Sequence, residues 1–349
     1  MPLTAPRAHY RPYEYPGLLR YRDAIRHSYW VHTEFSFQAD LQDHALSEEK
    51  ERHLVERALL AIAQVELAVK LFWARLYDRF PKPEVAEVGM TFAESEVRHA
   101  NAYAHLLELL GLEDAFQRAL EEATPLRDRA RALEEVLRRS RETDLKDYAL
   151  ALLLFSAFTE HVSLFSQFYV LMALNRRGNR YKGVSNAIEA TSKEENIHGL
   201  FGAELLRLLR EERPDLFGEA FQEEALRLAQ GLFRAEEGLL DWLFARGEPA
   251  LVGHGETLEF LKHRYNEVLA LHGLPEAFPV DPASFGTRSG SPWSSSPTRR
   301  WTSSTSAAWP TREGCKASTR RSFSKRRRHD QDQTHLRAGT GLTSTPAST

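Results

Sequence analysis

Cysteine is almost absent from this sequence, which has one residue of that type, Cys315, among 349. A single thiol excludes an intramolecular disulfide and any metal site built from several cysteines. A metal ion held by this chain would therefore bind to carboxylate oxygens and imidazole nitrogens. These ligands favour iron or manganese over a structural zinc ion.

Long uninterrupted apolar runs are also missing, although a transmembrane helix needs about 20 apolar residues in succession. The most apolar stretch, residues 149–174, has Glu160, His161 and Gln167 at its middle, which favours a buried helix of a bundle over a membrane span. The N-terminal sequence MPLTAPRAHYRPYEYPG lacks the charged start and apolar centre of a signal peptide. We therefore expect a cytoplasmic protein with no membrane partner.

Acidic residues become scarce in the last part of the chain. From Ser284 onward there are 12 lysines and arginines against 3 acidic residues, a net charge of +9, and because the whole chain has −3, residues 1–283 carry −12. About 25 of the last 66 residues are serine or threonine, so this part cannot build a core. We expect residues 284–349 to form a disordered basic tail, with the run Lys325–Arg328 solvated rather than bound to nucleic acid. The composition of residues 284–349 is also what a G+C-rich gene would encode if it were read out of frame.

Helical periodicity dominates from Leu18 to about His272, where glycine and proline are few. The predicted helices are roughly 18–31, 47–79, 83–111, 113–123, 126–140, 143–176, 181–212, 214–246 and 254–272. The sequence therefore predicts one all-α domain, residues 18–283, preceded by an extended N-terminal arm, residues 1–17.

Two Glu-x-x-His motifs, Glu96 to His99 and Glu195 to His198, each lie inside a predicted helix. One such motif in a chain with 49 acidic residues and 14 histidines would ordinarily be a solvated pair. A helix places residues three apart on one face, so each motif aims a carboxylate and an imidazole at the same point. The repetition of the motif favours a metal site over two solvated pairs.

Two further carboxylates, Glu66 and Glu160, lie in apolar helical segments. A carboxylate in such surroundings is costly unless it is paired or binds a metal ion, and each alone could be a buried salt-bridge residue. Together with the two motifs they complete the six ligands of a ferritin-like dinuclear site. We therefore expect a ferritin-like four-helix bundle with additional helices. Its ligand-bearing helices are predicted near 50–79, 83–111, 143–176 and 181–212.

Residues 18–275 resemble the small (beta) subunit of class I ribonucleotide reductase. The landmarks of that family stand in order as Trp30-Val31-His32-Thr33-Glu34 with Asp40, Ala63-Gln64-Val65-Glu66, Glu94-Ser95-Glu96-Val97-Arg98-His99-Ala100-Asn101-Ala102-Tyr103, Phe158-Thr159-Glu160, and Ser192-Lys193-Glu194-Glu195-Asn196-Ile197-His198. By this resemblance each chain binds two metal ions. The ligands that it implies are Glu66, Glu96, His99, Glu160, Glu195 and His198.

The resemblance also implies roles for residues around the metal ions. Tyr103, four residues after His99, corresponds to a tyrosine that many family members oxidise to a stable radical. Trp30 corresponds to a tryptophan on the electron-transfer route, and simple core packing is the alternative for both aromatic residues. Phe168 would line the apolar pocket that protects the radical, and Glu194 would tune the ligands from just outside the site.

The activity that the resemblance implies is that of a ribonucleoside-diphosphate or triphosphate reductase, which makes deoxyribonucleotides for DNA replication. A metal pair activated by dioxygen or superoxide would generate the oxidant, on Tyr103 or on the metals, that starts reduction in a large (alpha) subunit. The sequence has no Gly-rich phosphate loop, in agreement with a nucleotide site on that partner. The small subunit is expected to be a homodimer.

The sequence departs from the common family pattern in three places. Glu66 and Glu194 stand where many members have Asp, and no tyrosine follows Tyr265, although the family relays the radical through a C-terminal tyrosine. The longer carboxylates leave dimanganese, diiron and mixed manganese-iron centres open, since both metals accept these ligands. With this tail, metal binding should survive while turnover with the large subunit fails.

Two other functions fit the six ligands less well. A ferritin-like ligand-binding oxidase would have a tyrosine a few residues before the third carboxylate, where this sequence reads Phe155-Ser156-Ala157-Phe158. A metal storage protein needs a shorter four-helix subunit that assembles into a cage. The additional predicted helices disfavour the storage protein.

Overall fold

The computed structural model describes residues 1–67, 69–281 and 284. The predicted tail lies outside the described residues from residue 285 onward, and so does its basic run Lys325–Arg328. Three 3₁₀ turns are found at Pro16–Leu18, His32–Glu34 and Pro214–Leu216. Over the described ranges the chain otherwise forms helices joined by loops, without a strand, so the predicted all-α fold class is confirmed.

Thirteen α-helices follow one another through the described part of the chain. They are α1 (Leu19–His27), α2 (Gln38–Leu46), α3 (Glu49–Glu66), α4 (Val69–Ala74), α5 (Leu76–Arg79), α6 (Pro83–Leu109), α7 (Glu113–Glu122), α8 (Thr124–Arg139), α9 (Leu145–Leu154), α10 (Phe165–Gly178), α11 (Lys182–Glu212), α12 (Glu219–Leu243) and α13 (His254–Leu271). A π-helix, Phe155–Ser163, connects α9 to α10.

The central bundle consists of α3, α6, α11 and the long segment made of α9, the π-helix and α10. α3 packs against α6 and α10, while α11 packs against α6, α10 and the π-helix. α12 and α13 lie outside this bundle, where α12 contacts α8 and α13 contacts the π-helix. The long segment is therefore covered by helices on several sides.

Leu145–Gly178 is the one described segment that is long and apolar enough to cross a membrane. Its most apolar stretch is completely buried inside the protein. Contacts with α3, α11 and α13 explain why nearly every face of the segment is apolar. The polar residues at the middle of this segment predicted such a buried position in a helical bundle.

Two features differ from the predicted helices. Residues 47–79 do not form one helix, because α3 ends at Glu66 and helical geometry resumes at Val69. Lys70 Nζ donates to the Glu66 carbonyl oxygen at 2.6 Å, which provides a partner for one of the carbonyl groups freed at the helix end. The predicted helix at 143–176 contains the π-helix, which the uniformly apolar sequence does not signal.

Asp40, in α2, fixes the start of α11. Its carboxylate accepts hydrogen bonds from the backbone N–H groups of Gly183 at 3.1 Å and Val184 at 2.9 Å, where the helix dipole favours a negative charge. A Cβ atom on Gly183 would lie 2.3 Å from the Ser36 carbonyl oxygen, so this close approach requires glycine. The contact sets the position of the helix that carries the second Glu-x-x-His motif.

The N-terminal arm, residues 1–17, packs against the helical domain. Leu3 is completely buried. The Arg7 guanidinium donates to the Glu84 carboxylate, in the first turn of α6, at 2.8 Å. The first residues are thus attached to the same helix that carries the first Glu-x-x-His motif.

Candidate metal centre

The six predicted ligands come from four helical segments and meet inside the bundle. Glu66 is the last residue of α3, α6 gives Glu96 and His99, the π-helix gives Glu160, and α11 gives Glu195 and His198. Each of these residues is at most 1% exposed. The structure thus brings together all the residues that the two motifs and the two lone carboxylates indicated.

The ligand atoms form two overlapping groups. One group is Glu66, Glu96, His99 and Glu195, the other is Glu96, Glu160, Glu195 and His198, and within each group the ligand atoms lie within 4.8 Å of one another. Glu96 and Glu195 belong to both groups, so each would contribute to both metal positions if two ions were bound. Each group has in addition one carboxylate and one imidazole of its own.

Both imidazoles turn Nδ1 toward the shared carboxylates. His99 Nδ1 lies 3.0 Å from Glu195 and 3.3 Å from Glu96. His198 Nδ1 lies 3.0 Å from Glu96 and 3.3 Å from Glu195. Each group also has a carboxylate of its own: Glu66 lies 4.0 Å from His99 Nδ1, and Glu160 lies 3.4 Å from His198 Nδ1. The two halves of the site therefore have closely similar geometry.

Most of these donor atoms have no hydrogen-bond partner among the described residues. The atoms without one are both carboxylate oxygens of Glu66, Glu96 and Glu195, and Nδ1 of His99 and of His198. Buried polar groups are nearly always hydrogen-bonded, and unpaired carboxylates in an apolar interior carry a large desolvation cost. Two divalent cations would be partners for all these atoms, so the donor set fits a dinuclear metal centre.

Burial and crowding raise the proton affinity of Glu66 and Glu160. Burial raises the pKa of Glu66 and of Glu160 well above the ordinary value, and the charges of Glu96 and Glu195 raise it further. Burial opposes protonation of His99, but Glu194, hydrogen-bonded to its Nε2, and the Glu195 and Glu96 carboxylates near its Nδ1 raise the pKa of this imidazole well above its usual range. The metal-free site therefore retains protons, which metal ions must displace when they bind.

The outward nitrogen of each imidazole has its own partner. His99 Nε2 lies 2.7 Å from Glu194 Oε2, and because a carboxylate accepts, Nε2 carries the hydrogen. His198 Nε2 lies 3.0 Å from Ser95 Oγ, whose own hydrogen goes to the Phe92 carbonyl at 2.8 Å. Nε2 must therefore be the donor here as well. Nδ1 of each imidazole is therefore the nitrogen that could bind a metal ion once its proton is displaced.

Trp30 and Arg98 lie on the outer side of His99. The Trp30 ring stacks on the His99 imidazole, with centroids 5.7 Å apart and planes inclined by 12°. Arg98 donates to the two Glu194 oxygens at 3.0 and 3.2 Å and to the Trp30 carbonyl oxygen at 3.2 Å. The sequence argument did not single out Arg98, because its direction depends on how α6 packs against α11.

Trp73 is a second residue that the sequence argument missed. It is completely buried, and its indole N–H donates to Glu160 Oε1 at 2.8 Å. Its ring packs edge-on against Phe92 with centroids 5.2 Å apart, and the Phe92 centroid lies 4.2 Å from that of His198. These two aromatic rings cover one end of the site. An apolar helix containing a tryptophan is too common a pattern to have revealed this contact.

Tyr103 is 1% exposed and lies one helical turn beyond His99 in α6. Its hydroxyl donates to Thr191 Oγ1 at 3.3 Å. Burial raises the pKa of the phenol, and the Glu66 charge raises it further, so Tyr103 is neutral near pH 7. Phe168 is completely buried with its ring against Phe165. A contact between Phe168 and Tyr103 stays a prediction.

Comparison with known proteins identifies relatives of the chain. The probable ribonucleoside-diphosphate reductase small subunit 048L of Invertebrate iridescent virus 3 is 26% identical over 297 residues, which cover 80% of this chain and 78% of the viral protein. The dimanganese(II)-NrdF structure from Streptococcus sanguinis has a TM-score of 0.70 at 18% identity and covers 81% of this chain and 97% of that chain. A mutant R2-like ligand-binding oxidase with an aerobically reconstituted Mn/Fe cofactor has a TM-score of 0.64 at 18% identity, covering 76% and 95% of the two chains.

The solved structures confirm the ferritin-like all-α fold that the ligand pattern predicted. The family model for the ribonucleotide reductase small chain matches residues 7–284, which contain all six predicted ligands. Because this match covers most of the chain, the protein belongs to the family of ribonucleotide reductase small chains.

Proposed function

We propose that the six residues Glu66, Glu96, His99, Glu160, Glu195 and His198 hold two metal ions that start ribonucleotide reduction in a large subunit. The observation that carries this proposal is the pair of overlapping ligand groups whose buried atoms have no hydrogen-bond partner among the described residues. Two redox-active metal ions bound there, once activated by dioxygen or superoxide, supply a one-electron oxidant. The nucleotide is reduced on the large subunit.

The surrounding residues prepare the site for this role. Glu96 and Glu195 hold the two metal positions together, because each lies in both ligand groups. Glu194 and Ser95 keep the imidazoles in the tautomer that offers Nδ1. Trp73 closes one side with an aromatic ring and holds Glu160 through its N–H. Exclusion of water strengthens the electrostatic interactions within the site.

Tyr103 is the proposed donor of the electron that the oxidant removes. A neutral phenol that loses an electron also releases its proton, and in this chain the phenolic O–H points to Thr191 Oγ1. The hydroxyl is buried, so reductants in solvent have little access to it. These features support a persistent radical on Tyr103, and an oxidant that stays on the metal ions is the alternative.

Trp30 is the proposed entry point for the electron that returns from the large subunit. Its stacking on the His99 imidazole supports this role, because it places one aromatic ring directly beside a metal ligand. The side chain is 5% exposed and therefore protected from solvent. The viral relative is named a ribonucleoside-diphosphate reductase subunit, which supports diphosphates as the substrates of the complete enzyme.

Manganese, alone or with iron, is the metal that we propose for the site. The donor set of carboxylates and imidazoles accepts both metals. One structural neighbour is named as a dimanganese(II) protein and another as an Mn/Fe protein, which supports manganese. A diiron centre is the outcome that would contradict this choice.

A homodimer is the proposed assembly. Met90 and Val97 lie on α6 seven residues apart, which is two helical turns, and they are 63% and 44% exposed. Two exposed apolar side chains on one face of a long helix support contact with a second copy of the chain. Sedimentation velocity on the wild-type protein and on Val97→Lys tests this, since the charge should shift the protein toward the monomer.

The function is tested by metal analysis and low-temperature electron paramagnetic resonance after aerobic loading with iron, manganese or both. We expect two metal ions per chain and a tyrosyl signal that disappears in Tyr103→Phe. Tyr148→Phe is the matched control, because Tyr148 is also buried but packs against Phe80. A multiline manganese signal unchanged by Tyr103→Phe would place the oxidant on the metal ions. Failure to bind a pair of metal ions would overturn the proposal.

A further inference from the structure

Arg98 is buried beside the candidate metal site, although an arginine seldom lies in a protein interior without partners. It stands between the glutamate and the histidine of the first motif and is 4% exposed. Its guanidinium faces Glu194 as a fork, with NH2 3.0 Å from Oε1 and NH1 3.2 Å from Oε2. A bidentate pair of this kind restricts the orientation of the carboxylate as well as its charge.

The same guanidinium also holds the segment that carries Trp30. NH1 donates to the Trp30 carbonyl oxygen at 3.2 Å, and the guanidinium carbon lies 5.3 Å from the Trp30 ring centroid and 4.7 Å from that of Tyr29. Its Nε donates to Glu94 at 3.0 Å. One side chain therefore links α6, α11 and the loop that precedes the second 3₁₀ turn.

Glu194 passes this constraint on to a metal ligand. Its Oε2 accepts from His99 Nε2 at 2.7 Å, so the carboxylate lies between the guanidinium and the imidazole. The indole N–H of Trp30 has no hydrogen-bond partner among the described residues. Trp30 is therefore joined to His99 by ring stacking and by Arg98, which binds the Trp30 carbonyl directly and His99 through Glu194, rather than by a hydrogen bond from the indole.

We propose that Arg98 is a positioning residue of the metal centre. Through Glu194 it fixes the His99 imidazole with Nδ1 toward the metal ions, and through the Trp30 carbonyl it keeps the indole parallel to that imidazole. In the other half of the site the Ser95 hydroxyl, and not an arginine-bound carboxylate, is the described partner of His198 Nε2. The inference rests on the proposed metal site and predicts that Arg98 supports one metal position more than the other.

The test is a titration of the metal-free protein with Mn(II), combined with anomalous diffraction that measures occupancy at each of the two positions. Arg98→Met removes the fork while keeping a long side chain, and Arg98→Lys keeps the charge but cannot bind bidentately. We expect Arg98→Met to weaken the metal position beside His99 by about 10- to 100-fold, the usual effect of losing an outer partner. The position beside His198 should stay within about threefold, and Arg98→Lys should fall between Arg98→Met and the wild type.

Ser95→Ala is the reciprocal control, because it removes the partner of the other imidazole. It should weaken the position beside His198 and spare the one beside His99. Glu194→Gln tests the route of the effect. If Arg98 acts through Glu194, then Arg98→Met added to Glu194→Gln causes no further loss of Mn(II) affinity, since residues that act through one contact are not additive.

The outcomes separate this inference from the proposed function. Wild-type protein that binds no pair of Mn(II) ions overturns the proposed function and the role of Arg98 with it. A wild type that binds two ions, with equal losses at both positions or none in Arg98→Met and Arg98→Lys, overturns the role of Arg98 alone. Thermal unfolding of each metal-free variant shows which proteins are folded, and Arg98→Lys retains the buried cation if Arg98→Met does not fold.

Discussion

At the scale of single residues, the two metal-facing imidazoles share a tautomer but not an electrostatic environment. His99 donates to a carboxylate, Glu194, whereas His198 donates to a neutral hydroxyl, Ser95. A carboxylate partner makes an imidazole the more basic ligand. The two proposed metal positions are therefore chemically unequal despite their similar distances, and metal ions should fill the position beside His99 first.

Trp73→Phe tests the contact that holds Glu160. The substitution removes the indole N–H that donates to Glu160 Oε1 at 2.8 Å and leaves a buried carboxyl oxygen without that donor. We expect the metal-free protein to lose about 1–3 kcal/mol of unfolding free energy, the usual cost of an unsatisfied buried group. Urea unfolding measures the loss. Trp242→Phe, at a partly buried position in α12, is the control, and an equal loss there would mean that ring size rather than the hydrogen bond is responsible.

His272 makes the stability depend on pH away from the metal site. Burial, together with the Arg210 charge, lowers the pKa of this imidazole from 6.5 to about 4. Because the unfolded chain takes up the proton first, stability is lost as the pH falls from 6.5 toward 4. At pH 5 the loss is about 2 kcal/mol, since one pKa unit corresponds to about 1.36 kcal/mol.

The measurement is urea unfolding of metal-free protein at pH 7 and pH 5. His272→Gln should remove about 2 kcal/mol of the difference between the two pH values. His9→Gln, at an exposed position, should leave the difference unchanged. Equal pH dependence in His272→Gln and the wild type would show that this imidazole is protonated in the folded protein.

At the scale of helices, the contact between α11 and the π-helix decides where Glu160 lies. A Cβ atom on Gly202 would be 2.2 Å from the Ser156 Cβ, and one on Gly199 would be 2.3 Å from His161 Nε2. Gly202→Ala must therefore separate two helices that both carry ligands. We expect about 1–3 kcal/mol of destabilisation, typical of overpacking, together with weaker Mn(II) binding.

Gly238→Ala is the matched control for this prediction. Gly238 lies in α12, and nothing would lie within 4 Å of its added Cβ atom. Alanine in a helix is more favourable than glycine by about 0.5–1 kcal/mol, so the control should gain stability. Thermal unfolding and Mn(II) titration of both variants decide the matter, and a Gly202→Ala protein as stable as the control would contradict the close packing.

The helices that the sequence predicted well are those with clear boundary signals. α6 begins at the predicted Pro83, and α11 occupies Lys182–Glu212 where 181–212 was predicted. The break after Glu66 and the π-helix were missed because apolar residues there continue without a change of period. The local spacing indicated the predicted ligands, since residues three apart lie on one face of a helix. Arg98 and Trp73 contact partners on other helices, which only the folded structure brings together.

At the scale of the whole molecule, the N-terminal arm is attached to α6, the helix that carries the first Glu-x-x-His motif. Glu84, in the first turn of α6, accepts hydrogen bonds from Arg7 at 2.8 Å and from the backbone N–H groups of Glu14 at 2.9 Å and Tyr15 at 2.8 Å. The Lys82 ammonium pairs with the Glu14 carboxylate just before that helix begins. The arm and the start of α6 therefore form one polar network, and we expect them to unfold together.

Arg7→Met tests this coupling, because the Arg7 and Glu84 side chains are 1% and 0% exposed. Removal of one partner leaves a buried charge, which costs about 3–5 kcal/mol, and the two backbone donors should keep the loss near the lower figure. Urea unfolding measures it, and hydrogen exchange should show faster exchange in residues 1–17. Arg213→Met breaks an exposed pair with Asp215, which solvent screens, and should cost far less than Arg7→Met. Adding Glu84→Gln to Arg7→Met should recover part of the loss of unfolding free energy, since the unpaired charge is then absent. No recovery would mean that the packing of the arginine side chain, and not its charge, attaches the arm.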